Sequence, residues 1–98
     1  TGNSIKSVMD MLYEKYTSKG IAVVIGEFGS RNKNENLEAR IDHAAYYVSE
    51  ARAVGITCVW WDNNYYTSGN ELFGIFDRSS CEWYSQEIAD AIVGMYSE

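Results

Sequence analysis

The segment that most constrains the fold is a short apolar run followed by an acidic residue. Ile21–Ile25 is apolar and mostly β-branched, which predicts a buried strand, and Glu27 follows it within the motif Gly-Glu-Phe-Gly. A carboxylate at the end of a buried strand costs free energy unless a partner or a ligand uses it. In parallel sheets and barrels, ligands bind at this end of the strands. Glu27 is therefore a candidate functional residue. The alternative is that it only caps the next loop or pairs with a cation such as Arg31.

A second apolar run has the same arrangement. Ile56–Trp61 predicts another buried strand, and Asp62–Asn64 follows it with three polar side chains. The chain from Asp62 to Ser80 predicts a long loop, and loops of this length are commonly functional or disordered. Aromatic residues recur in it, which argues against disorder. We therefore expect an ordered loop after the second strand.

Helical spacing of apolar residues marks three further segments. They are Ser4–Lys19, Leu37–Val54 and Glu82–Tyr96. Gly20 and Gly55 are expected to end the first two helices in the left-handed conformation. Ser79 and Glu82 have the spacing of a capping box and are expected to begin the third helix.

The predicted order is helix, strand, helix, strand, helix. Strands connected through helices become parallel neighbours by right-handed crossovers, and both strands are nearly continuously apolar, as strands covered on two faces are. Two strands and three helices leave both sheet edges open. The sequence therefore predicts an α/β fold that is part of a larger structure.

Composition excludes several classes of function. The 98 residues include 14 acidic and 8 basic ones, and the net charge of −6 argues against binding to nucleic acid. No apolar run is long enough to span a membrane and no signal-peptide pattern is present, and because the first residue is Thr1 we expect the chain to begin inside a longer precursor. Cys58 and Cys81 are too few for a zinc site and are either two thiols or one disulfide. The single histidine, His43, favours a packing or surface position.

The carboxyl ends of the two predicted strands bring polar and aromatic side chains together. With the strands parallel and adjacent, Glu27 is level with Trp61, Asp62 and Asn63. Side chains alternate along a strand, so Trp61 shares a face with Asn63 and Val59, while the residue before Trp61 packs on the opposite face. A carboxylate beside an exposed indole is typical of a sugar-binding site, because the indole stacks on the apolar face of a pyranose.

These two motifs support a more specific interpretation. Ile25-Gly26-Glu27-Phe28-Gly29 and Val59-Trp60-Trp61-Asp62-Asn63 resemble the last two strands of glycoside hydrolase family 5, most of all its endo-β-1,4-glucanases, and the similarity spans essentially the whole chain. The resemblance implies that residues 1–98 are the carboxyl-terminal portion of a single catalytic domain. The fold is then a partial (β/α)8 TIM barrel with helix 6, strand 7, helix 7, strand 8 and helix 8, and not a complete barrel.

The resemblance also implies a function. It assigns the catalytic nucleophile to Glu27 and an aromatic wall of the cleavage subsite to Trp61, and we expect Asn63, Tyr65 or Tyr66 of the following loop to contact sugar. The reaction is a two-step displacement with retention, without a metal or an organic cofactor. The implied substrate is a β-linked polysaccharide or oligosaccharide, and the implied location is extracellular, either secreted or at the cell surface.

The general acid of this reaction is missing from the sequence. In the family it follows an Asn near the end of the fourth strand, and no Asn-Glu-Pro motif occurs here. We therefore expect the chain to be inactive until the remainder of the barrel joins it, as another chain or segment. One alternative is a non-catalytic carbohydrate-binding or self-associating α/β module. Another is a small unrelated α/β domain in which Glu27 forms a buried ion pair.

An isolated partial barrel leaves apolar surface without a partner. Val23, Ile25, Val59 and Trp61 are expected to face the missing barrel interior. Because such surfaces and open strand edges drive association, we expect the isolated chain to be oligomeric, molten or aggregated.

Overall fold

A computed structural model describes residues 2–69 and 71–96. Its elements are, in chain order, α1 (Gly2–Lys15), β1 (Val24–Phe28), α2 (Leu37–Ala53), β2 (Thr57–Trp60), β3 (Phe76–Asp77), β4 (Glu82–Trp83) and α3 (Gln86–Gly94). A short 3-10 turn at Thr17–Lys19 connects α1 to β1. The predicted order of three helices and two strands is confirmed, and the hairpin of β3 and β4 is an addition to it.

Strands β1 and β2 are parallel neighbours, as predicted. Their register pairs Val24 with Thr57, Ile25 with Cys58 and Phe28 with Trp60. Between the last two pairs β1 advances by three residues while β2 advances by two, so β1 contains one extra residue. The sheet therefore has an irregularity at Gly26 and Glu27.

This irregularity determines where Glu27 points. Ile25 packs against the core beneath the sheet, and in a regular strand Glu27 would lie on the same face. The extra residue moves Phe28 onto that face instead, where it is buried, and Glu27 is exposed. The prediction that β1 covers Ile21–Ile25 was wrong, because pairing with β2 begins only at Val24 and extends to Phe28.

The three helices cover one face of the β1–β2 pair. One core cluster joins Phe28 to α2, α3 and the loop before β3. A second joins α1 and α2 to the residue that precedes β2. The residues buried in these clusters are Phe28, Ala44, Val48, Ile75 and Ile88 in the first and Met9, Ala51 and Ile56 in the second.

The other face of the strand pair is open. Val24 is 63% exposed and Val59 is 49% exposed. The prediction that Val23 and Ile25 face the barrel interior was wrong, because both pack against the cluster formed with α1 and α2. At the start of β1 the side chains alternate in the opposite order to the prediction, so that Val24 lies on the open face.

The boundaries of the helices differ from the predictions. Helix α1 ends four residues before Lys19, because the chain there tightens into the 3-10 turn. Gly20 and Gly55 adopt φ values of +79° and +77°, which confirms their left-handed conformation. Helix α2 ends at Ala53, one residue earlier than expected.

The third helix was predicted too long. It begins at Gln86, and Glu82 belongs to β4, so the expected capping box is absent from this turn. The backbone N–H groups of Ser79 and Ser80 donate to the carboxylate of Asp77 instead. Strands of two residues are too short to produce a recognisable period, which is why the hairpin was not predicted.

The two cysteines are free thiols. Cys58 is half-buried in β2, where burial raises the pKa of its thiol to about 11, and Cys81 lies exposed in the hairpin turn. No helix in the described ranges has the length and apolar character needed to cross a membrane.

Candidate active site

The centre of the candidate site is a cleft of about 220 Å³ at the carboxyl ends of β1 and β2. Glu27 and Trp61 both line it, together with Phe28, Gly29 and Phe73. The backbone N–H of Trp61 donates to the carbonyl oxygen of Phe28 at 2.8 Å, which continues the parallel pairing one residue past β2. The structure therefore brings the predicted carboxylate and indole to one cleft.

The carboxylate of Glu27 has no partner in the described part of the chain. Neither an ion pair nor a hydrogen bond is formed by its side chain there, with Arg31 or with any other residue. The side chain lies exposed on the open face. A structural role as a loop cap or ion-pair partner is therefore not what fixes its position.

The two adjacent tryptophans have different surroundings. The Trp60 ring contacts Phe28 edge to face, with centroids 5.4 Å apart, and its Nε1–H donates to the carbonyl oxygen of Phe73 at 3.0 Å. Trp61 is 42% exposed and lines the cleft. Trp60 is thus a packing residue, as the alternation of side chains predicted, and Trp61 presents its indole to the cleft.

Phe73 is a wall of the cleft that sequence reasoning missed. It lies in the middle of the loop after β2, and no motif or spacing connects it to Glu27. A Cβ atom at Gly29 would lie 3.2 Å from its ring, so the glycine permits this close approach. A Cβ atom at Gly26, by contrast, would meet nothing within 4 Å.

Asp62 holds the loop that carries Phe73. Its Oδ2 accepts hydrogen bonds from the N–H groups of Ile75 and Phe76 at 2.8 and 3.1 Å, and its Oδ1 accepts one from Asn64 at 2.7 Å. Arg78 lies 3.5 Å from the same carboxylate and donates to the Asp62 carbonyl oxygen at 2.7 Å. The carboxylate of Asp62 therefore joins the start of this loop to its end.

Asn63 and Tyr65 lie together at a neighbouring cleft of about 300 Å³, which Gly69 and Glu71 also line. The Asn63 Nδ2 group donates to the Glu71 carbonyl oxygen at 2.7 Å, and its Oδ1 accepts from the Tyr65 N–H at 3.2 Å. The Asn63 amide thus braces the loop, while the ring of Tyr65 is exposed.

Tyr66 lies apart from both clefts. Its ring centroid is 4.7 Å from that of Tyr84, and a hydrogen bond to Asp77 raises the pKa of its hydroxyl. Asn32 donates to the Tyr66 carbonyl oxygen at 2.9 Å. Of the five residues predicted for the site, the structure groups Glu27 with Trp61 and Asn63 with Tyr65, and it separates Tyr66 from them.

The cleft contains one of the two carboxyl groups that a retaining glycosidase site would require. Retaining enzymes hold two carboxyl groups about 5–5.5 Å apart, and Glu27 is the only acidic residue among those that line its cleft in the described part of the chain. Within residues 2–69 and 71–96 there is no cluster of three or more side chains suited to a metal ion. An unpartnered carboxylate beside an exposed indole, at the carboxyl ends of two parallel strands of an α/β sheet, is typical of carbohydrate-binding proteins.

Comparison with known proteins identifies the family. Residues 1–67 match the family model Cellulase (glycosyl hydrolase family 5). Endoglucanase A of Ruminococcus albus is 50% identical over 88 residues, which cover 89% of this chain and 24% of that protein. Among solved structures, a lichenase of this family from Caldicellulosiruptor sp. F32 has a TM-score of 0.93 and 52% identity, covering 97% of this chain and 25% of that one.

The chain belongs to glycoside hydrolase family 5. A broad-specificity endoglucanase from Clostridium cellulovorans supports the same conclusion, with a TM-score of 0.92, 34% identity and coverage of 98% of this chain and 28% of that one. The chain spans about a quarter of the length of these three proteins. Its fold is a partial (β/α)8 barrel from the carboxyl-terminal portion of that domain, as predicted.

Proposed function

We propose that this chain supplies the nucleophile and one wall of the substrate cleft of a retaining, endo-acting β-glucan hydrolase. Residues 1–98 are then the carboxyl-terminal portion of a single catalytic domain. The observation that carries the proposal is the unpartnered, exposed carboxylate of Glu27 in one cleft with the exposed indole of Trp61. Placing a charged group on the open side of a strand pair requires the irregularity in β1, which supports a chemical role for Glu27 over a structural one.

In the proposed mechanism Glu27 attacks the anomeric carbon and displaces the leaving oxygen. The product is a covalent glycosyl-enzyme, which a water molecule hydrolyses in the second step. Trp61 stacks on the sugar ring, and Phe73, which also lines the cleft, limits the movement of the sugar. The acid that protonates the leaving oxygen comes from the remainder of the barrel, so this chain alone is inactive.

The neighbouring cleft is proposed to extend the sugar-binding surface. Tyr65 offers an exposed ring, and Asn63 retains one free N–H and one free lone pair after bracing the loop. Tyr66 remains a predicted sugar contact. Because the Tyr66 ring packs on Tyr84, a contact with sugar from its present position would be made by its backbone.

The proposed substrate is a β-linked glucan or its oligosaccharides. This class follows from relatives that are described as endoglucanases and a lichenase, one of them solved with cellotetraose. Because polymers of this kind lie outside the cell, we also propose a secreted or cell-surface location.

A chimaera tests the proposal directly. In it, this chain replaces the matching segment of the Ruminococcus albus endoglucanase, which supplies the rest of the barrel. The chimaera is expected to hydrolyse soluble β-glucan, and Glu27→Gln is expected to lower kcat about 10⁴-fold or more, since the nucleophile acts as a unit with the acid. Glu35→Gln, in the exposed loop after β1, is the matched control and is expected to retain activity.

The result also separates the hydrolase from the alternative of a non-catalytic module. The open apolar face with Val24 and Val59 is what favours that alternative. A folded chimaera that binds β-glucan without cleaving it would support the module. Equal activity with Gln and Glu at position 27 would remove Glu27 from the mechanism.

A further inference from the structure

A third cleft, of about 340 Å³, lies between the loop after β1 and the first two turns of α2. Three of its lining residues are cations, Arg31, Lys33 and Arg40, and none is acidic. This is unusual in a chain whose net charge is −6. The charge of the cleft therefore opposes that of the rest of the chain and favours an anionic ligand.

Arg40 is the residue that most favours an anionic ligand in this cleft. Its side chain is 3% exposed, and within the described residues it forms no ion pair. One N–H group donates to the Ser30 carbonyl oxygen at 3.2 Å, the guanidinium lies 6.0 Å from the Trp60 ring centroid, and Nε has no partner. Because a guanidinium stays protonated in proteins, its burial without a counter-charge costs free energy that a bound anion would offset.

Other polar groups of the cleft also lack partners. Ser30 Oγ and His43 Nδ1 are buried and form no hydrogen bond. His43 is half-buried near Tyr47, and burial lowers the pKa of its ring. A hydroxyl group and neutral imidazole can each donate to an oxyanion, which makes these groups suitable neighbours for one.

The amino terminus of α2 points to the same ligand. Asn36 occupies its N-cap position and lines the cleft, but its side chain does not cap the helix. It accepts from the Lys33 N–H and donates to the Arg31 carbonyl oxygen instead. The first-turn N–H groups of this 17-residue helix are therefore available to an anion, which the helix dipole also favours. Glu38 lies in that turn but does not line the cleft.

We propose that this cleft binds a small oxyanion. Gly29 and Phe73 line both this cleft and the one that contains Glu27, so an anion here lies next to the candidate catalytic site. Resting on the proposed function, this adjacency favours the carboxylate of an acidic sugar substituent, a uronate, on the polysaccharide. Inorganic phosphate or sulfate offers the same oxygen chemistry.

Binding is measured by calorimetry on the chimaera carrying Glu27→Gln, so that no turnover occurs. The probes are glucuronate, glucose as the neutral sugar of the same ring size, and inorganic phosphate. We expect glucuronate to bind at least about 10-fold more tightly than glucose, as one desolvated charge-assisted contact is worth this factor or more. The double substitution Arg31→Gln and Lys33→Gln is expected to remove that preference.

Matched variants keep the test independent of folding. Arg31 and Lys33 are exposed, so their replacement leaves the core intact, and Lys15→Gln with Lys19→Gln makes the same change in charge on the surface near α1. The control pair is expected to bind glucuronate like the parent chimaera. Equal weakening by both pairs would reduce the effect to net charge and overturn the site.

The remaining outcomes each decide one part of the inference. Binding of phosphate without glucuronate would retain the oxyanion site and overturn its sugar source. Binding of neither would overturn the inference and leave the cleft to water. Because binding is measured without turnover, a chimaera with Glu27 that is inactive but binds glucuronate overturns only the proposed function. An active chimaera without anion binding overturns only this inference.

Discussion

The strand pair β1–β2 and the loop at residues 61–69 and 71–75, here the rim loop, meet at the same cleft but are held by different interactions. The strand pair is fixed by apolar side chains such as Phe28, Val48 and Ile56, which are buried beneath it. Such burial is not directional, and it places an element without specifying each side chain of it.

The rim loop is fixed by individual hydrogen bonds. Asp62 accepts three from backbone N–H groups, Gly74 donates to the Tyr65 carbonyl oxygen at 2.7 Å, and Asn32 donates through its backbone to Leu72 at 2.8 Å. These bonds are directional, and each positions one segment. Glu27 is therefore positioned by packing, whereas the aromatic wall at Phe73 is positioned by a polar network.

The largest expected effect concerns the open face of the strand pair. The isolated chain is expected to self-associate and to unfold over a broad range, because Val24 and Val59 are exposed there, whereas hydrogen bonds to Asp62 hold the rim loop within the chain. Light scattering and calorimetry of the isolated chain measure this. Val24→Lys with Val59→Lys should reduce association. A sharp two-state transition of a dilute monomer would contradict the expectation.

A substitution in the core should affect stability and spare catalysis. Ile56→Ala in the chimaera is expected to lower the free energy of unfolding by about 2–5 kcal/mol, since it leaves a cavity beside Met9 and Ala51. Denaturant unfolding measures the loss, and kcat/KM at low temperature should change by less than about threefold. A large loss of kcat/KM in the folded variant would show that packing alone does not separate the two regions.

The polar network should behave in the opposite way. Asp62→Ala is expected to lower the free energy of unfolding by about 1–3 kcal/mol, because several N–H groups lose their acceptor. It should also lower kcat/KM by at least about 10-fold, since small displacements of the cleft walls are costly to the rate. Asp62→Asn retains one acceptor oxygen and should recover part of both. Full activity with alanine at this position would refute the role given to the network.

The smallest effect compares two thiols. Cys58, in the strand pair, has a pKa raised to about 11 by burial, whereas Cys81 is exposed in the hairpin turn. Because the thiolate is the nucleophile, iodoacetamide at pH 8 should alkylate Cys81 first, by about 10-fold or more. Peptide mapping over time measures the ratio, and both thiols should react alike in denaturant. Faster labelling of Cys58 would mean that the strand pair opens readily.

The difference between the packed strand pair and the hydrogen-bonded rim loop also explains how much of the structure the sequence could predict. Apolar periodicity located three helices and both parallel strands, and the motifs Gly-Glu-Phe-Gly and Trp-Trp-Asp-Asn located Glu27 and Trp61. Periodicity failed in β1, where the extra residue at Gly26 and Glu27 reverses the expected faces. An irregularity of this kind has no periodic signal.

The rim loop was the part that could not be predicted. Its shape depends on Asp62 reaching residues 13 and 14 positions later, and on Phe73 meeting Gly29 from a distant part of the chain. Long-range hydrogen bonds and close approaches of this kind leave no local pattern. Asn63 illustrates the point, because its position next to a predicted strand indicated sugar contact, whereas most of its amide braces the loop.

The most direct test of the account is to trap the covalent intermediate on the chimaera. A cellobiose derivative with fluorine at C2 and a good leaving group at C1 slows both steps by destabilising the oxocarbenium-like transition states, so that the glycosyl-enzyme accumulates. Peptide mass mapping then locates the attached sugar. The account predicts a single adduct on Glu27 that is absent from the Glu27→Gln protein. An adduct on any other residue of an active chimaera would contradict it.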